Sequence, residues 1–97
     1  MSLQCCVTSL LMPEISRFLG VSIKMFFDDH NPPHFHAEYG DDLALVDIRS
    51  LSVFSGRLPP RVRGLVIEWA TLHQQELLAD WERARAQQAL ERIAPLE

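Results

Sequence analysis

At Gly56 the spacing of apolar residues changes from every second residue to every third or fourth, and this switch constrains the fold more than any other feature of the chain. Before it, Ile23, Met25 and Phe27 alternate with Ser22, Lys24 and Phe26, and Phe35, Ala37 and Tyr39 alternate with His34, His36 and Glu38. After it, Val62, Leu65, Val66, Trp69, Ala70, Leu72, His73, Leu77, Trp81 and Ala84 cover one broad face at about 100° per residue. A chain that passes once from the strand period to the helix period builds a sheet first and lays a helix across it.

The punctuation agrees with this order. Asp28 to Pro33 is a loop, because Pro32 and Pro33 withhold amide donors and restrict the residues before them. Gly40-Asp41 suits a two-residue hairpin turn with glycine at positive φ, and Arg49-Ser50 makes the next turn. Pro59 and Pro60 stand where a helix tolerates missing donors, in its first turn. The predicted fold is α+β: four antiparallel strands at 21–27, 34–39, 42–48 and 51–55, packed on one face by a single long C-terminal helix over 60–87. Each large side chain buried between helix and sheet contributes about 1.5–3 kcal/mol before conformational entropy is subtracted. Ile67 and Leu78 lie about 140–160° round the helix from Val62, so they are expected to stay exposed.

With 97 residues, one domain accounts for the chain. Residues 1–11 read as an upstream extension or leader, poorly ordered, and 12–97 as the folded domain. A formal charge of −4 gives no global positive field to draw the protein onto RNA or an anionic membrane. No apolar stretch approaches the about 20 residues of a membrane span, and the N-terminus lacks the basic residues of a signal peptide, which points to the cytoplasm. The adjacent Cys5 and Cys6 have neither disulfide nor redox-motif spacing.

Three of the four histidines fall between His30 and His36. With Gly40-Asp41 as the turn, paired residue numbers sum to 81, which puts Asp47 across from His34 on a polar face turned away from the helix. Three chemistries fit that face. In a metal site, His34 and His36 would hold Zn²⁺ or a related divalent ion, with Glu38 or His30 as third ligand. In a metal-independent ribonuclease, His34 and His36 would be acid and base. Asp47 would orient His34, and Lys24, Arg49 or Arg57 would stabilise the charge on phosphorus. In a purely structural role, the imidazoles would hydrogen-bond to Asp47, Asp29 or backbone and tie down the proline loop. Arg57, Arg61 and Arg63 form a positive edge at the helix N-terminus that would grip phosphates or remain solvated. His73 and the two tryptophans belong to the apolar helix face.

Three segments carry a family resemblance: Met12-Pro13-Glu14-Ile15-Ser16-Arg17-Phe18, Asp29-His30-Asn31-Pro32-Pro33-His34-Phe35-His36-Ala37, and Glu68-Trp69-Ala70 with His73 and Leu77-Leu78. On them the chain resembles a bacterial family of very small proteins known as a domain of unknown function. The resemblance implies that Met12 is the natural start. It also implies a partner, a small protein encoded nearby or a second copy, in an arrangement similar to toxin–antitoxin pairs. No catalytic residue is implied by the family, so the candidate site residues are those read from the chain itself.

Overall fold

The computed structural model describes residues 14–27 and 29–96, so the expectations for residues 1–11 and for Met12 lie outside the described residues. Strands β1 (Glu14–Phe18), β2 (Val21–Lys24), β3 (His34–Tyr39), β4 (Asp42–Asp47) and β5 (Ser52–Gly56) are followed by helices α1 (Pro60–Leu72) and α2 (Gln74–Arg85). The strands form one antiparallel sheet in the order β1-β2-β3-β4-β5. The α+β class and the strand-then-helix order are those expected, but there are five strands rather than four and two helices rather than one.

The extra strand, β1, is hidden by a bulge. Its pairing with β2 shifts between Glu14 and Ser16, so the consecutive residues Ile15 and Ser16 are both buried, at 1% exposure each. That break erases the alternation on which a sequence reading depends. The turn into β2 is Leu19-Gly20, both at positive φ (49° and 83°), the signature of a tight hairpin whose twist matches its strands. β2 then leaves the ladder at Lys24, three residues before the expected end, and residues 25–33 carry the chain to β3.

The β3–β4 hairpin has the expected register: His34 pairs with Asp47, His36 with Leu45 and Glu38 with Leu43. The connection to β5 is longer than the expected Arg49-Ser50 turn. Asp47 Oδ1 accepts the amides of Arg49 (2.8 Å) and Ser50 (2.9 Å), and Leu51 adopts a φ of 58°, so β5 begins at Ser52. A second bulge interrupts the pairing of β4 with β5 between Leu45 and Val46, which leaves Phe54 as the inserted residue. Gly56 closes the sheet at a φ of 74°, where a Cβ would lie 2.1 Å from the Leu43 carbonyl oxygen; only glycine fits.

The helical region starts at Pro60 as expected but breaks at His73 (φ −119°, ψ 24°), whose amide reaches both Trp69 O and Ala70 O. It ends two residues early, at Arg85. Gln87 takes a left-handed φ of 61°, its amide donates to Ala84 O, and that of Gln88 donates to Arg83 O. Val62, Val66, Trp69, Ala70, Leu77, Trp81 and Ala84 are buried in one core with Phe35, Ala37 and Val46 of the sheet, together with Ile15, Val21, Ile23, Met25 and Ile48.

Three details of the apolar face differ from expectation. Leu72, at the margin of the stripe, is 67% exposed, whereas Ile67 and Leu78 pack against the core. Asp80, in the centre of the stripe, is wholly buried and accepts hydrogen bonds from Arg83 Nη1 (2.7 Å) and the Glu91 amide (3.0 Å). Through Asp80 the C-terminal residues fold back on the domain: Ile93 N–H donates to Ile15 O, and Trp69 Nε1 to Ala94 O (2.8 Å). Among the described residues no helix is long and apolar enough to cross a membrane.

Candidate metal centre

Alternation along β3 sends His34 and His36 to the same face, opposite Phe35 and Ala37. His34 is the first residue of the strand, where residues 25–33 arrive from β2. That connection carries Asp29 to the two imidazoles. Asp29 Oδ2 lies 3.2 Å from His34 Nε2 and 3.0 Å from His36 Nε2, so one carboxylate oxygen faces both rings. The remaining nitrogen of His34, Nδ1, is 2.7 Å from Pro32 O.

These contacts fix the protons. A carbonyl oxygen only accepts, so His34 Nδ1 carries hydrogen and donates to Pro32. In a neutral ring Nε2 is then unprotonated and stands 3.2 Å from Asp29 Oδ2 without a hydrogen bond to it, whereas His36 Nε2 donates to that oxygen at 3.0 Å. A cation bound between the groups would give the free nitrogen of His34 a partner. The distances from Asp29 are compatible with such a cation. Metal–nitrogen and metal–oxygen bonds near 2.05 Å set neighbouring ligand atoms about 2.9 Å apart at 90° and about 3.3 Å apart at the tetrahedral angle. The two contacts from Asp29, 3.0 and 3.2 Å, fall in that interval, and all three donor atoms lie within 4.8 Å of one another. Donation of the second ring nitrogen to a backbone carbonyl is also how metal-bound histidines are oriented.

The surroundings exclude water from one side. His34 is only 6% exposed, with Phe54 edge-on at 5.4 Å between ring centroids and Trp81 of α2 also at 5.4 Å. Phe26 stands edge-on to His36 at 4.5 Å. The polar strand face is therefore not turned wholly away from the helices: His34 lies at the end of the sheet, where Trp81 reaches its ring.

The other candidate residues are dispersed among different tasks. Asp47 is opposite His34 in register, but its Oδ1 binds the Arg49 and Ser50 amides, and the carboxylate beside His34 is that of Asp29. Glu38 pairs with Lys24 at 3.0 Å across the β2–β3 ladder and stands outside the three-residue cluster. His30 is exposed and outside it as well. Arg49, Arg57, Arg61 and Arg63 are exposed. His73 is bonded to Glu76 through Nδ1 and packs on Trp69, as a histidine in an apolar face should. Asp29 entered the sequence reading only as a hydrogen-bond partner. It lies in a connection without strand or helix period, so no spacing rule carries it to the imidazoles.

Residues 20–82, from the β1–β2 turn into α2, match a family described as Domain of unknown function (DUF4160). The chain belongs to that family. The DUF4160 match contains Asp29, His34, His36 and the aromatic residues around them, while β1 and the C-terminal return lie outside it. No curated protein and no solved structure matches the chain.

Proposed function

We propose that this protein binds a divalent transition-metal ion through Asp29 Oδ2, His34 Nε2 and His36 Nε2. The observation that carries the reading is the Nδ1–H of His34 committed to Pro32 O, which leaves an unprotonated Nε2 3.2 Å from the carboxylate oxygen that His36 Nε2 also approaches at 3.0 Å. Two imidazoles and one carboxylate suit Zn²⁺ or a related ion, and three protein ligands leave at least one position for water or a further ligand. The third ligand is Asp29 rather than Glu38 or His30. Zinc titration of untagged, chelator-treated protein tests the reading by calorimetry; a heat of binding that disappears in His36→Ala supports it, and no heat in the wild type removes it.

The metal-independent ribonuclease reading has less support. It asks His34 to exchange a proton with an RNA hydroxyl, whereas His34 is buried and its Nδ1 is occupied. Expression of wild type and of His34→Ala tests that reading through growth and RNA integrity.

A second reading, compatible with the metal, is a partner-directed, toxin–antitoxin-like role in the bacterial cytoplasm. Leu43 (45% exposed) and Phe54 (47%) favour it as large apolar side chains presented to solvent. Co-expression with a small protein encoded nearby tests it; a strict monomer with no co-purifying partner counts against it.

A further inference from the structure

The two edges of the sheet are not alike. At the β1 edge the C-terminal residues lie alongside, with Ile93 N–H donating to Ile15 O. At the other edge, nothing among the described residues pairs with the outer side of β5. That strand, Ser-Val-Phe-Ser-Gly, carries no charge and no proline, two of the devices that keep an exposed edge from adding a strand, and its one bulge lies at Phe54. Beside it runs a groove of about 310 Å³ lined by Leu51, Ser52, Val53, Arg63 and Ile67, which is apolar except for Ser52 and the guanidinium.

Charge selects the occupant. Arg57, Arg61 and Arg63 follow one another from the end of β5 into the first turn of α1. Among the described residues none of them pairs with a carboxylate, although the chain as a whole is acidic. A second copy joined edge to edge in the antiparallel sense would set β5, which has no carboxylate, against β5 and cover the Arg63 guanidinium of the groove without a counter-charge, which is costly. An acidic strand meets no such penalty.

We infer that the β5 edge and its groove bind an extended peptide segment of a partner protein that alternates apolar and acidic side chains. Main-chain hydrogen bonds to β5 supply affinity. Alternate side chains enter the groove against Leu51, Val53 and Ile67, and a carboxylate meets Arg63 in the groove, with Arg57 at the end of the strand. The inference rests on the partner-directed reading and is independent of the metal.

Fluorescence anisotropy with a short capped peptide of alternating valine and glutamate tests it, with the valine and lysine peptide as control. The glutamate peptide is expected to bind, more weakly as salt rises, and Arg63→Glu is expected to weaken it by about tenfold or more. Arg63 is exposed, so this variant keeps the fold, which a thermal melt verifies; Ile67→Asp probes the apolar wall. Absence of binding, equal affinity for the lysine peptide, or affinity unmoved by Arg63→Glu overturns the inference. So does a dimer in sedimentation that Arg63→Glu or Ile67→Asp dissolves, since a second copy then occupies the edge. A natural partner that binds Arg63→Glu as it binds wild type removes this surface and leaves the partner-directed reading standing.

Discussion

Replacing Asp29 by asparagine should uncouple the protein's stability from metal. The change keeps the side chain's shape and removes the charge of the oxygen that faces both His34 Nε2 and His36 Nε2. A ligand that binds only the folded state at a hundred times its dissociation constant stabilises by about 2.7 kcal/mol. For a domain of this size each kcal/mol moves Tm by about 4–8 °C, so saturating Zn²⁺ should raise the wild-type Tm by roughly 10–20 °C. If the lost carboxylate weakens binding by about a hundredfold, the same zinc concentration only equals the new dissociation constant. The gain is then about 0.4 kcal/mol, or roughly 2–3 °C. The assay is a thermal melt of chelator-treated, untagged protein with and without Zn²⁺. Glu38→Gln serves as the control, because Glu38 is paired with Lys24 and should leave the zinc-induced shift intact. Equal shifts in wild type and Asp29→Asn, or a shift lost in Glu38→Gln instead, would refute the assignment of Asp29.

Glu14 makes a second, pH-dependent prediction. The Ser22 hydroxyl, followed by Arg17 and Arg92, holds its carboxyl below the ordinary value against an opposing cost of burial. A depressed folded-state pKa adds stability that is present above the unfolded value and is lost as pH falls through the folded one. Urea midpoints measured from about pH 6 down to about pH 2 should therefore fall less steeply in Glu14→Gln than in wild type. Asp80→Ala should cost about 1 kcal/mol in urea unfolding, because it removes the acceptor of the Arg83 guanidinium and the Glu91 amide, both of which stay within reach of water. Gly56→Ala should cost about 2 kcal/mol or more, from its positive φ and the Leu43 carbonyl oxygen in the space of the new Cβ; a neutral result by the same assay would contradict the close approach.

The parts of the fold that were legible in the sequence are those where local chemistry and tertiary packing ask for the same thing. Gly40 supplies the positive φ of its turn, and the strict alternation of residues 34–39 leaves one register, so Asp47 stands across from His34 as the arithmetic requires. Pro60 opens the helix, and most of its apolar face is the buried one. β1 was illegible because its bulge buries Ile15 and Ser16 in succession. The break at His73 has no proline or glycine to announce it, and the helix end uses Gln87 where glycine is the usual signal.

The site divides the same way. Both imidazoles follow from strand periodicity, whereas their carboxylate depends on the path of residues 25–33, which no local preference specifies. Facing pairs in a ladder are also a weaker guide to side-chain contact than they look: Asp47 is opposite His34, and its carboxylate is used by the turn that follows it.

Elemental analysis of untagged protein reconstituted with Zn²⁺ and freed of excess ion tests the proposed centre most directly. Wild type should retain about one ion per chain, and Asp29→Asn and His36→Ala should retain much less. Wild-type protein that comes through the same procedure without metal, or variants that hold as much as it does, would leave the aspartate and the two histidines as a hydrogen-bonded clasp on the proline loop and nothing more.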